Sequence, residues 1–380
     1  MGLYLIPNNL NINFVGMRKV FYILSSLLIV VCLGALLVAG GPKFGIDFAG
    51  GSIAQVKFEK PVDAETIKTA LDGMGEQGLV IQRFGEDDGL SFLIRVSTTD
   101  ISSTQLRENI IKALAGKLAD NPVDIQRLES VGPKVGADLR AQAVEALYYA
   151  TLLIAIYISG RFGQRWFTAA AMAGGLAAGM FLIGFVCVKF LGFESAPKGA
   201  LVLVATICMI FLCWRLKLIY ALGAVVSILH DVLVTVGVFA ILGKEFDLTI
   251  IAALLTIVGY SLNDTIIIYD RIRENLLAKK VGKLSEVINT SINQTLSRTV
   301  LTSLTTLIVV TSLLVFGGGI IHDFALVMFI GVIVGTYSSI FVASPILLIF
   351  GDTVVAQAET QKAEREEAAQ KERARGRALT

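Results

Sequence analysis

Long apolar runs separated by short basic segments set the pattern of this chain. Uncharged or nearly uncharged runs fall at 20–39, 146–160, 166–188, 199–214, 218–243, 248–269, 299–321 and 324–351. A helix needs about 20 such residues to cross a bilayer, so the pattern predicts up to eight spans. The run at 199–214 is short for a span, and a re-entrant hairpin with its predecessor is the alternative. The first run follows Arg18-Lys19. Its apolar core is longer than the ~7–15 residues of a signal-peptide core, which predicts a retained anchor rather than a cleaved leader.

One sizeable stretch, 40–142, has a different rhythm. Ser52 to Phe58 reads as a strand, with Val56 and Phe58 alternating with Gln55 and Lys57. Asp63 is placed to cap a helix with the stripe Ile67, Ala70, Leu71 and Met74. A strand is expected at 79–84, a turn at 85–89, and a further strand in which Leu90, Phe92, Ile94 and Val96 alternate. A second helix near 103–119 aligns Leu106, Ile110, Leu114 and Leu118, and a last strand runs over 123–131. The order β-α-β-β-α-β is that of ferredoxin-like domains. The predicted fold class is a polytopic α-helical membrane protein with an extracytoplasmic α+β ferredoxin-like domain.

Composition supports the membrane assignment: 54% of the 380 residues are hydrophobic and 17% charged, against about 25% charged in soluble domains. The net charge of +2 carries no nucleic-acid signal. The placement of basic residues is more informative. Arg18 and Lys19 precede the first span, Arg161 and Arg165 follow the second, Arg215 and Lys217 the fourth, and Arg271, Arg273, Lys279, Lys280 and Lys283 the sixth. The alternate loops 192–198, 244–247 and 322–323 carry at most one Lys each. The positive-inside rule then predicts cytoplasmic termini and a domain on the opposite side. The organisation is an N-terminus at 1–19, a helix at 20–39, the outer domain at 40–142, a helix at 143–160, a hydrophobic hairpin at 166–214, four core helices in 218–351 and a tail at 352–380. That tail, rich in Ala, Gln, Glu, Lys and Arg, is expected to be a solvated, frayed helix or disordered. Cys32, Cys187, Cys208 and Cys213 all lie in apolar stretches without metal-ligand spacing and read as small apolar residues.

The chemistry centres on Asp264, a lone acid in the uncharged run 248–269. An ionisable residue at that depth is costly and marks a functional site by default. It belongs to the phrase Gly259-Tyr260-Ser261-Leu262-Asn263-Asp264-Thr265, followed by Asp270-Arg271-Ile272-Arg273-Glu274-Asn275. Arg298, opening the next span, is its candidate cation. A guanidinium that approaches and withdraws would let the carboxyl load and release a proton; the alternative is a static Asp–Arg pair tying two helices. His230-Asp231, mid-span in 218–243, reads either as a proton relay or as a polar helix–helix contact. Asn263 is expected to orient Asp264 or cap a helix contact, and Asp270 to pair with loop cations. In Gly45-Ile46-Asp47-Phe48-Ala49-Gly50-Gly51 the glycines Gly50 and Gly51 suit a tight turn. Val131-Gly132-Pro133-Lys134-Val135-Gly136 reads as a hinge (Gly132, Pro133, Gly136) or a plain linker. No Walker loop, zinc spacing or Ser-His-Asp set is present, so neither ATP hydrolysis nor acyl chemistry is indicated.

These phrases, with Thr295-Leu296-Ser297-Arg298-Thr299, occur in order over about 45–345 and resemble the SecF family of protein-export membrane subunits. The resemblance implies a multi-pass inner-membrane accessory of the Sec pathway, without enzymatic activity, that is driven by the proton motive force, with no cofactor beyond protons. It implies SecD as partner, and beside it the SecYEG channel, YajC/YidC-like accessory proteins, the unfolded preprotein and membrane lipids. It also implies two six-helix halves similar to resistance-nodulation-division transporters, with an intramembrane Asp and Arg serving proton passage. Asp264 and Arg298 match those positions. The chain departs from the family in one respect: six spans are usual, and a hydrophobic pair at 166–214 is inserted here. The segments around Arg161 to Trp166 and at Trp214-Arg215 both resemble a junction normally found once. Two other functions compete. One is half of a small-molecule or lipid exporter of the resistance-nodulation-division kind, against which the single half and the ~100-residue outer domain argue. The other is a passive translocon scaffold.

Overall fold

The computed structural model describes residues 11–72, 79–83, 89–96, 103–118, 120–190, 198–278 and 283–378. Among them, eight helices are long and apolar enough to cross a membrane. Helix α1 (Phe14–Val38) starts earlier than the apolar run because the Asn13 side chain accepts a hydrogen bond from the Gly16 N–H at 2.8 Å and caps it. The α+β domain, called the outer domain after its expected side, follows as β2 (Gly51–Phe58), α3 (Ala64–Leu71), β3 (Val80–Arg83), β4 (Ser91–Val96), α4 (Ser103–Lys117) and β5 (Val123–Val131). Its four strands form one antiparallel sheet in the order β3-β4-β2-β5, the arrangement of a split βαβ fold. Val56, Phe58, Ile67, Leu71, Phe92, Ile94, Leu106, Ile110 and Leu114 are buried in a core between sheet and helices. Asp63 is the N-cap of α3, but its side chain makes no cap bond and pairs instead with Arg83 at 3.4 Å. Met74 and the turn expected at 85–88 lie outside the described residues.

A second, two-stranded parallel sheet ties this domain to the helical bundle. It joins β1 (Lys43–Phe44) to β6 (Glu245–Phe246). Arg95 on β4 donates to Glu245 at 2.6 Å and to the Phe44 carbonyl at 2.9 Å, locking the outer sheet onto it. Between β1 and β2 lies a single turn, α2 (Ile46–Ala49). Gly50 and Gly51 follow at φ +79° and +118°, conformations that favour glycine.

The remaining helices are α5 (Pro133–Gly163), α6 (Trp166–Phe190), α7 (Lys198–Arg215), α8 (Ile219–Ile241), α9 (Leu248–Ala278), α10 (Leu284–Phe316) and α11 (Gly318–Ser338). A π turn (Ser339–Ala343), a short α12 (Ser344–Ile346), a 3-10 turn (Leu347–Phe350) and α13 (Gly351–Ala378) end the chain. Three expectations change. The phrase around Gly132 is a helix start rather than a linker: Gly132 is the N-cap and Pro133 the first residue of α5, where a missing N–H costs nothing. The helix therefore begins at 133, ahead of the apolar run. The sixth helix does not end with its apolar run at 269: α9 continues through Ala278 and carries Asp270 to Asn275. The tail takes the helical form of the two expected, and it is docked rather than solvated near its start, because Gln361 is buried and donates to the Phe162 carbonyl at 2.7 Å.

The inserted α6 and α7 are both full helices, packed against α5 and α8 through Ile158, Met172, Met209 and Cys213. The repeated junction noted in the sequence has a backbone counterpart. Among the described residues, Gln164 (φ 54°) and Lys217 (φ 55°) are the non-glycine residues in the left-handed region. They end α5 and α7 respectively, each turning the chain into the next helix within two residues.

Candidate functional site

A polar layer crosses the otherwise apolar contact of α8, α9, α10 and α11. Its closeness comes from α11. A Cβ on Gly335 would lie 2.8 Å from the Ser261 Cβ, and one on Gly331 would overlap the Ile257 side chain. This small-xxx-small spacing lets α9 and α11 approach backbone to backbone.

Two carboxylates occupy the layer, and their surroundings differ. Asp231 is 1% exposed and fully engaged. It lies 2.9 Å from His230 Nδ1 and accepts from the Ser261 hydroxyl at 2.5 Å and the Ser338 hydroxyl at 2.8 Å. The Ser227 hydroxyl donates to Ser338 at 2.9 Å behind it. His230 Nε2 is buried without a partner, its ring 6.0 Å from that of Tyr337. Such a set ties α8, α9 and α11 together and favours the helix-contact reading of His230-Asp231 over the relay.

Asp264, also 1% exposed, stands one helical turn from Ser261 on α9 and is poorly served. Its one described hydrogen bond comes from the Ser303 hydroxyl at a long 3.5 Å. That hydroxyl lies only 2.7 Å from Thr336 Oγ1, which donates its own proton to the Val332 carbonyl at 2.7 Å. The single Ser303 proton is therefore shared between Thr336 and Asp264. An ionised carboxylate left so under-partnered in a low-dielectric layer is far costlier than a neutral acid. Among the described residues, no ion pair joins Asp264 to Arg298, whose side chain is exposed. Arg298 lies five residues before Ser303 on α10, about 7.5 Å along the axis.

Two other sequence-selected residues lie elsewhere. Asn263 is exposed on the outward side of α9 and does not orient Asp264. Asp270 pairs at 2.6 Å with Arg161, one of the cations that follow the second apolar run; Arg161 sits in the last turn of α5, so the pair holds the ends of α5 and α9 together. Gly50 and Gly136 meet each other: a Cβ on Gly50 would lie 2.9 Å from the Pro133 Cα, and one on Gly136 would lie 3.1 Å from Gly50 N and from the Phe48 carbonyl. The two glycine phrases are thus one joint between the outer domain and α5. Asp47 adds a link missed in the sequence. Its carboxylate accepts from the Leu248 N–H at 3.0 Å, alongside Asp247, which accepts from Ile250 at 2.8 Å, so both cap α9. The serines and threonine around the carboxylates were also missed; the Gly331/Gly335 spacing was the available signal for that contact.

A family profile for the SecD/SecF GG motif matches residues 35–62, over α2 and its glycines. The profile of the protein export membrane protein SecD/SecF C-terminal region matches 110–196 and 191–353, spanning the polar layer. The chain belongs to the SecF family. The SecF protein translocase subunit of Calditerrivibrio nitroreducens is 37% identical over 350 residues, covering 91% of this chain and 96% of that protein. The SecF of Pseudomonas aeruginosa is 35% identical over 337 residues, covering 89% of this chain and 90% of its own length. The crystal structure of SecDF, a translocon-associated membrane protein of Thermus thermophilus, superposes with a TM-score of 0.64 at 30% identity. It covers 93% of this chain, which spans 40% of the SecDF chain. The two SecF-family C-terminal matches meet at 191–196, between α6 and α7, where the inserted pair divides.

Proposed function

We propose that this SecF-family translocase subunit couples proton movement to a late step of protein export, with Asp264 as the proton-binding group and Arg298 as its movable counter-charge. As a multi-pass inner-membrane subunit of the Sec pathway it has a transport role, not an enzymatic one. The observation that carries the coupling reading is the contrast within one polar layer: among the described residues Asp231 is saturated by three partners, whereas Asp264 has one shared hydroxyl, from Ser303, and the guanidinium of Arg298, one to two turns before Ser303 on α10, has no ion pair. A charge moved across the membrane field gains about 2.3 kcal/mol per 100 mV, enough to bias a two-state element. The joint of Gly50, Gly51, Gly132, Pro133 and Gly136, together with the Arg95–Glu245 tie, is the route by which helix movement would reach the outer domain, which we place in the periplasm with both termini cytoplasmic.

SecD is the membrane partner. On α9 an outward stripe of Ala252, Thr256, Gly259 and Asn263, spaced i, i+4, i+7, i+11, is exposed, and nothing lies within 4 Å of a Cβ placed on Gly259. We assign this stripe to the helix contact with SecD, since small and polar residues drive helix association in lipid. The SecYEG channel, YajC/YidC-like proteins and the emerging preprotein are the further partners of this reading. The test is an export assay in vesicles. Asp264→Asn and Arg298→Ala should each slow late export of a secreted reporter while the subunit still co-purifies with SecD. Wild-type rates in both variants would leave only a scaffold role.

A further inference from the structure

Beyond the polar layer, a cavity opens where α5 leaves the outer domain. It has a volume of about 620 Å³ and is walled by Phe44, Phe48, Val144, Leu147, Phe246 and Leu254. Its size falls within the range of small-molecule sites. Asp138, Arg140 and Lys198 stand around it. A second cavity of about 120 Å³ continues between α5, α7 and α8, sharing Val144 and Leu147 with the first. Two further observations point to a ligand. Lys198 is engaged by Glu145 at 3.4 Å, but among the described ion pairs Arg140 has no carboxylate and Asp138 no cation. In the deeper cavity, Tyr148 is 3% exposed and its hydroxyl has no partner.

We propose that this slot binds one zwitterionic phospholipid, its phosphate on Arg140, its ammonium on Asp138 and one acyl chain between α5, α7 and α8. Among the described residues, and beside the Lys198–Glu145 pair, the rim offers one cation and one anion without an ion-pair partner, the complement of an ethanolamine phosphate and not of a simple anionic headgroup. The Arg140 guanidinium also stacks on the Phe44 ring at 5.0 Å, which presents it at the cavity edge. Tyr148 lines the inner cavity with Thr206 and Met209, where a glycerol ester carbonyl reaching down from the headgroup would accept its hydrogen. A partner helix is about 10 Å across and does not enter the narrow inner part; a hydrocarbon chain does. Lys198, Gly199, Val202 and Met209 all come from α7, so the inserted hairpin supplies one wall. This gives the insertion a role in holding lipid at the joint between bundle and outer domain.

Native mass spectrometry of the full chain in detergent, titrated with phosphatidylethanolamine or phosphatidylglycerol, tests the proposal. Wild type should retain one phosphatidylethanolamine in preference to phosphatidylglycerol by about two- to five-fold, the range of exposed ion pairs. Asp138→Asn should abolish that preference, and Arg140→Ala should weaken both lipids alike. Val144→Trp, and independently Leu254→Trp on the opposite wall, should block retention, with circular dichroism confirming that each variant is folded. Retention unchanged in both folded tryptophan variants, equal binding of the two lipids by wild type, or a peptide mass in place of a lipid would overturn it. Asp264→Asn should leave lipid retention intact, so this result and the export result are separable.

Discussion

Replacing Gly50 by alanine tests the joint between outer domain and membrane helices most directly. Gly50 holds φ +79° and ψ 171°, a region occupied almost only by glycine and worth about 1–3 kcal/mol of strain for other residues. Its new Cβ would also stand 2.9 Å from the Pro133 Cα and 3.1 Å from the Pro133 nitrogen. These are backbone atoms at the first turn of α5, which cannot rotate away as a side-chain end would. Overpacking of this kind costs about 1–3 kcal/mol, so the two effects together predict about 2–6 kcal/mol. Gly132→Ala is the internal control: it is the neighbouring helix cap, at φ −69°, with nothing within 4 Å of a Cβ, and should cost only the N-cap preference of Gly over Ala, about 0.5–1 kcal/mol. Thermal unfolding of the detergent-purified protein, with hydrogen exchange of β2 and the start of α5, measures both. If the two variants melt together, the close approach of the glycine phrases does not hold the joint.

Three further outcomes follow from other contacts. Gly335→Ala should destabilise by about 1–3 kcal/mol, because its Cβ meets Ser261 at 2.8 Å, while Gly174→Ala, with open space around it, should be silent in the same melting assay. Burial pushes the Asp247 carboxyl up from its ordinary value, opposed by the Ile250 N–H and reinforced by the Asp47 charge. The folded state then holds that proton more tightly than the unfolded one, so this group's contribution to stability falls as pH rises from about 3.9 through the raised folded value; Asp247→Asn should flatten that part of a Tm-against-pH curve. Gln361→Ala removes the bond to the Phe162 carbonyl and the acceptor of Arg273, and should speed proteolysis of α13 without altering the melting of the bundle.

The hydrophobic pattern by itself determined the number and placement of the apolar helices, the β-α-β-β-α-β order of the outer domain and the choice of Asp264. These follow from local periodicity and from the cost of a charge in lipid, both of which act residue by residue. Helix ends were less legible: α5 starts at Pro133 and α10 at Leu284 because polar turns continue a helix once its caps and neighbours permit it, and hydropathy registers only the apolar part. Tertiary structure alone decided which acid is satisfied. The partners of Asp231 come from α9 and α11, 30 and 107 residues away in the chain, and the loneliness of Asp264 depends on how one Ser303 proton is divided. The two-residue strands β1 and β6 were likewise too short to leave a period, and they exist because distant segments pair. The same reason applies to Asp270, whose cation lies on α5, and to the slot, one wall of which comes from the inserted α7. Which polar groups meet across helices depends on packing between segments far apart in sequence, and no local pattern encodes it.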